Sequence, residues 1–301
     1  MLRRLILVLV AIAITGGAIF WMLTRPQAVV ALPAYTANPA NGEVMFNAGG
    51  CAGCHASRDD RIRLAGGGAL KSPFGTFHVP NISPHPSDGI GGWSDADFVT
   101  AMLKGTSPQG AHYYPSFPYA SYQRMRVEDV RDLFAYLKAL PPVQGRVRGH
   151  DLPFPFNVPR GLGLWKLLYL DGEPFRPDPA KDAEWNRGAY LVNGPGHCAE
   201  CHSPRNLLGG IVAGQRFTGG PRLGGQGFVP NITQAKLGSW SVEDFVELLD
   251  SGMTPGFNEV SGEMGAVIKS TSQLPEADRK AMAVYLKSLP PAETTRRSDG
   301  K

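Results

Sequence analysis

A chain of 301 residues that is 43% hydrophobic and 19% charged has room for two modest globular units and is too apolar for a disordered protein. Its 30 basic and 26 acidic residues are spread along the sequence for a net charge of +4, so neither a nucleic-acid partner nor an acidic substrate is indicated. The 37 glycines and 26 prolines suit small units whose loops wrap a large apolar group.

In chain order, Met1 to Arg4 precede an uncharged run of twenty residues, Leu5 to Thr24, closed by Arg25 and Pro26. As a helix rising ~1.5 Å per residue, the run reaches ~30 Å, the thickness of a bilayer core. A cleaved signal peptide would have a shorter apolar region with a small-x-small site close behind it. Val29 and Ala31 form only a weak site, several residues beyond the run. A retained transmembrane anchor over residues 1–25 is therefore expected over a signal peptide. Arg3 and Arg4 outnumber Arg25, which keeps the N-terminus cytoplasmic and exports the rest. Residues 26–40, with Pro33, Asn38 and Pro39, read as a tether.

The first unit, 41–142, opens with a short helix at Asn41–Phe46 leading to Cys51-Ala52-Gly53-Cys54-His55. Two thiols separated by two residues, with histidine directly after the second, are what covalent c-type haem needs: two thioethers on one porphyrin edge and an adjacent imidazole for the iron. A Gly66-Gly67-Gly68 loop leads to Pro80-Asn81-Ile82. Ser94 caps a helix carrying Phe98, Val99, Met102 and Leu103. A closing helix runs from Val127 to Leu140 and is stopped by Pro141-Pro142.

The plan then recurs. Cys198-Ala199-Glu200-Cys201-His202 lies 147 residues after the first motif, Trp240 lies 147 after Trp93, and a second Pro-Asn-Ile places Asn231 150 after Asn81. Ser241 repeats the cap, and Val284-Tyr285-Leu286-Lys287 repeats Ala135-Tyr136-Leu137-Lys138. A repeat of this length predicts a second unit over 188–291, joined to the first by a proline-rich linker over 143–187 and followed by a disordered tail over 292–301. Within the linker, Leu162–Leu170 is apolar. Packing across the two units is favoured there over an interfacial membrane contact. All four cysteines lie in the two motifs. Tetrahedral zinc and a thioredoxin-like pair are both disfavoured, because histidine follows the second cysteine twice and no βαβ pattern surrounds either motif.

His55 and His202 are the expected proximal iron ligands, with the carbonyls of Pro80 and Pro230 as candidate partners for their second ring nitrogen. For the distal position of the second haem, Met264 is favoured over Met253 because it is placed in a loop before the last helix. Projecting Met264 back by 147 residues reaches Phe117, which cannot bind iron. Met125 and His112 remain as candidates for the first haem, with a vacant position as a third possibility. Met102 reads as core.

Cys-x-x-Cys-His, Pro-Asn-Ile, Trp-Ser-x-x-Asp-Phe, Tyr-Tyr-Pro-Ser-Phe-Pro-Tyr and Tyr-Leu-Lys-x-Leu-Pro-Pro together resemble the membrane-bound cytochrome c subunits of periplasmic alcohol, gluconate and aldehyde dehydrogenases. The resemblance covers residues 40 to 291. It implies a mainly α protein with two tandem class I-like cytochrome c domains and two covalent haem c groups, Cys51, Cys54, Cys198 and Cys201 being the attachment points. It also implies a bacterial inner-membrane protein with its haem domains in the periplasm, taking electrons from a dehydrogenase catalytic subunit and passing them to quinone or a terminal oxidase. Many members carry three haems and have methionine where Phe117 stands; Met264 matches the family position. No catalytic acid, base or nucleophile set is evident, so a carrier is expected. The rival is a diheme oxidoreductase acting on thiosulfate or peroxide at the first haem.

Overall fold

The computed structural model describes residues 1–29, 31–56, 60–225 and 227–294. It is mainly helical. Helix α1 (Leu2–Leu23) has 22 residues, none of them buried, and is long and apolar enough to cross a membrane. The chain then runs along the first helical set. Val29 N–H donates to Thr100 Oγ1 (2.9 Å), Tyr35 Oη to Asp132 Oδ1 (2.9 Å) and Arg131 to the Pro33 carbonyl (2.8 Å), so the expected tether is fastened down.

That set contains α2 (Pro39–Ala48), α3 (Cys51–His55), a hairpin of β1 (Ala69–Ser72) and β2 (Gly75–His78) with Leu70 opposite Phe77, α4 (Asp95–Lys104), α5 (Tyr119–Tyr122) and α6 (Val127–Ala139). Helix α7 (Leu162–Tyr169) follows. The second set has α8 (Ala183–Asn193), a minimal hairpin of β3 (Gly220–Pro221) and β4 (Phe228–Val229), α9 (Gln234–Leu237), α10 (Val242–Ser251), α11 (Gly262–Thr271) and α12 (Glu276–Lys287).

Matching local signals build matching helices. Ser94 and Asp97 form a reciprocal capping box at α4 (3.2 and 2.9 Å), as Ser241 and Asp244 do at α10 (3.1 and 2.7 Å). Gly105 and Gly252 end these helices in the left-handed region at φ 59° and 82°. The long helices then pair, α2 on α6 and α8 on α12, around one continuous apolar core that includes Met45, Met102, Met125, Leu133, Leu191 and Met282. Each pair crosses at a glycine where the backbones touch: a Cβ on Gly42 would lie 2.0 Å from the Asp132 carbonyl oxygen, and one on Gly188 would lie 1.8 Å from that of Ala281.

The two sets are also joined by polar contacts. Asp129, 2% exposed, accepts from Arg126 Nε (2.9 Å), from Asn41 Nδ2 (2.8 Å) and from the Tyr190 hydroxyl of the second set. Burial works against its ionisation, but these donors outweigh it and hold the carboxyl below its ordinary value. The stability it contributes is therefore complete above the unfolded carboxylate value of about 3.9 and is lost as pH falls through the lower folded value. Thermal melts between pH 6 and 3 should show Tm falling at the acid end, and Asp129→Asn should lower Tm at pH 6 while flattening that fall. An unchanged acid limb in the variant would contradict this assignment.

Of the tail expected over 292–301, Ala292 to Thr294 are tied down: the Ala292 carbonyl accepts from Asn231 and Thr233, and Thr294 Oγ1 donates to the Thr218 carbonyl (2.7 Å). Residues 295–301 lie outside the described residues.

Candidate haem sites

Cys51 and Cys54 lie one helical turn apart on α3, so both thiols share a face, and His55 ends the same helix. The second motif is tighter: Cys198–Glu200 is a single 3₁₀ turn, entered through His197 at φ 40°, where a non-glycine residue is strained. None of the four cysteines is in a disulfide. Burial pushes Cys51 and Cys198 up to about 12. Among the described residues no group of three His, Cys, Asp or Glu is arranged to hold a metal ion.

Both histidines are oriented the same way. His55 Nδ1 lies 2.8 Å from the Pro80 carbonyl oxygen, and His202 Nδ1 lies 2.8 Å from that of Pro230. A carbonyl only accepts, which fixes the proton on Nδ1 and leaves the Nε2 lone pair free. Burial, opposed by these bonds, pushes the His55 pKa down to about 4 and lowers that of His202, so both rings stay neutral. Paired thiols and a neutral imidazole with Nε2 free fit a covalently attached porphyrin with an axial histidine.

The turns that present these carbonyls explain two residue types. Gly66 (φ 69°) and Gly219 (φ 76°) donate backbone N–H to the carbonyls of His55 and His202 at 2.8 Å; a Cβ on either would lie within 2.5 Å of the facing turn. Asn81, 5% exposed, bonds the carbonyls of Val143 (2.8 Å) and Gly145 (3.0 Å) and accepts from Ser83 N–H (2.9 Å). Asn231 does the same with Ala292 (2.7 Å) and Thr233 (2.8 Å). The repeated Pro-Asn-Ile is visible in the sequence, but the task of its asparagine is not; recurrence in both copies is the available signal. Asn231→Ala should cost about 2 kcal/mol, two to three net hydrogen bonds, in denaturant titration of the haem-loaded protein.

Distal candidates are placed unequally. Met264 is in the first turn of α11, not in a loop as expected, and is half-buried. The helix forms because Gly262–Thr271 packs on α2, α3 and α10, with Thr271 Oγ1 donating to the Leu249 carbonyl. Met253 is half-buried in a backbone bridge with Glu259. In the first set, Phe117 sits among Tyr113 (5.8 Å), Tyr119 (6.4 Å) and Tyr122 (5.6 Å). Met125 is 1% exposed, and Met102 is in the core as expected. His112 is buried rather than a surface residue: its Nε2 lies 2.8 Å from the Thr24 carbonyl oxygen, and its Nδ1 is buried without a partner.

The segments flanking the two motifs meet. His197 Nε2 lies 3.2 Å from the Gly49 carbonyl oxygen, Ser121 Oγ donates to Glu200 Oε1 (2.7 Å), and Arg205 holds Glu200 Oε2 (2.6 Å). Ala266 of α11 lies against Gly53.

The cytochrome c family model matches residues 39–141. The chain is 48% identical to a diheme cytochrome c-type protein of Cereibacter sphaeroides, over 97% of this chain and the whole of that one. It is 39% identical to a nicotinate dehydrogenase subunit of Pseudomonas putida, over 82% of this chain but 21% of that one. It is 36% identical to the fructose dehydrogenase cytochrome subunit of Gluconobacter japonicus, over 88% and 56%. It thus spans less than two thirds of the length of either dehydrogenase subunit. With a matching domain and a relative covered over its whole length, the chain belongs to the cytochrome c family, whose members carry covalently bound haem c.

Proposed function

We propose that this chain is a two-haem electron carrier built from two tandem cytochrome c domains, 41–142 and 188–291. One haem c is attached at Cys51 and Cys54 with His55 as proximal ligand, the other at Cys198 and Cys201 with His202. The observation that carries the reading is the identical orientation of the two imidazoles, each directly after a cysteine pair and each held at 2.8 Å by a proline carbonyl. Haem c supplies a reversible one-electron couple at its iron. The chain's residues fix the imidazoles, keep them neutral and pack the segments flanking the two motifs against each other.

Met264 is the distal ligand of the second haem. For the first, Met125 is preferred to His112, whose Nε2 is already engaged by Thr24. Helix α1 anchors the protein in the bacterial inner membrane, with the haem domains in the periplasm. The donor is the catalytic subunit of a dehydrogenase, consistent with the relatives named for such enzymes, and quinone or a terminal oxidase is the acceptor.

Haem content tests the count. Intact-mass measurement and alkaline pyridine spectra should give two haems per chain, and Cys198→Ala with Cys201→Ala should leave one. A single haem in the unaltered chain would overturn the proposal. Carbon monoxide tests the carrier role: two low-spin reduced haems should not bind it, and rapid binding at the first would contradict a distal methionine there.

A further inference from the structure

Helix α7 is amphipathic in the wrong sense for a protein surrounded by water. Its Gly163 and Lys166 are buried, while Leu164, Leu167 and Leu168 are 45%, 57% and 65% exposed. Positions i, i+3 and i+4 form one stripe. The Trp165 indole N–H donates to the Leu208 carbonyl (3.0 Å) and so brings a loop beside α7 whose Leu207 and Leu208 are 79% and 58% exposed. Soluble monomers seldom leave such a patch uncovered.

The inner side of α7 meets the end of α1. A Cβ on Gly163 would lie 2.5 Å from Thr24 Cβ, so the two backbones are in contact. Arg160 donates to Thr24 Oγ1 (2.9 Å) and places its guanidinium 4.0 Å from the Trp21 ring centroid, and His112 holds the Thr24 carbonyl. The last turn of α1 is therefore joined to α7 without a flexible segment between them.

If α1 spans the bilayer, Thr24 stands at its surface, and whatever packs on Thr24 stands at headgroup depth. Trp21 is the residue type enriched at that level, and Arg25 and Arg160 supply cations for lipid phosphates. We propose that Leu164, Leu167, Leu168, Leu207 and Leu208 lie in the bilayer interface, so that α1 and α7 form one attachment device that fixes the orientation of the haem domains on the membrane. This rests on the reading of α1 as a membrane anchor. The buried Lys166, whose Nζ donates to the carbonyls of Lys104 (2.6 Å) and Gly105 (2.7 Å), clamps α7 to the end of α4 and makes the attachment rigid.

The test uses the full haem-loaded chain in nanodiscs of phosphatidylcholine and phosphatidylglycerol doped with a phospholipid carrying a diazirine near its headgroup. After illumination, adducts are mapped by peptide mass spectrometry. Adducts are expected on α1, on α7 and on the Leu207–Leu208 loop, with a yield on the order of tenfold above the segment bearing Phe257, an 88% exposed residue serving as the reference for solvent-facing apolar surface. Adducts on α1 alone would overturn the proposal and leave the anchor standing, with the patch facing water or a protein partner. Adducts on neither would overturn the anchor reading as well.

Discussion

On the proposed assignment of Met264 as distal ligand of the second haem, Met264→Leu is expected to leave both haems attached and the fold intact while converting that centre from low-spin to high-spin. Its potential should fall by on the order of 0.1 V, within the roughly 0.8 V that axial ligation spans. The swap conserves volume, and the side chain is half-buried, so packing changes little. What is removed is a thioether, which favours ferrous iron. The first turn of α11 is a firm platform for such a ligand, because later residues of the helix, Ala266 and Ser270, lie against Gly53 of the first motif and Gly50 just before it. Redox titration followed by visible and magnetic circular dichroism spectra separates the two centres. Met253→Leu is the control and should change neither spectrum nor potential. If Met253→Leu produced the high-spin signal instead, the assignment of Met264 would be wrong.

The elements that can be read from the sequence are those whose causes are local. The cysteine pairs, the capping serines Ser94 and Ser241, the stop at Pro141 and the apolar run of α1 each state their structure within a few residues. Helix α11 does not: Gly262, Gly265, Val267, Ile268 and Thr271 are poor helix formers, and the segment is held helical by α2, α3 and α10. Local signals alone therefore put Met264 in a loop. His112 is illegible for a related reason, since its partner Thr24 is 88 positions away, and a lone histidine gives no hint of a distant carbonyl. Asn81 and Asn231 reach carbonyls more than 60 positions along the chain. What the repeat does offer, and what pairwise spacing alone cannot interpret, is that the same residue recurs in both copies.

Gly42 and Gly188 are the sharpest case, and substituting alanine at either is expected to be among the most damaging single changes in the molecule. Local propensity argues the other way: alanine in a helix interior is favoured over glycine by about 1 kcal/mol. Against that stands a methyl group 1.8 Å from the Ala281 oxygen and 2.4 Å from its carbonyl carbon for Gly188→Ala, or 2.0 Å and 2.6 Å from the same atoms of Asp132 for Gly42→Ala. The obstacle is backbone, so no rotamer change relieves it, and the helices must separate along their whole contact. Separation would uncover Val130, Leu133 and Leu137 on one side, or Met282, Ala283 and Leu286 on the other, all of them buried. Overpacking alone costs typically about 1–3 kcal/mol and more against a rigid partner, so a net loss above about 3 kcal/mol is expected, a large share of the roughly 5–15 kcal/mol that stabilises a typical domain. Denaturant titration of the haem-loaded protein reads it directly. If the two haem units unfold separately, Gly42→Ala should displace one transition and Gly188→Ala the other. A midpoint shift equivalent to less than about 0.5 kcal/mol, the size of an ordinary surface substitution, would show that α8 and α12, or α2 and α6, do not cross where the structure puts them.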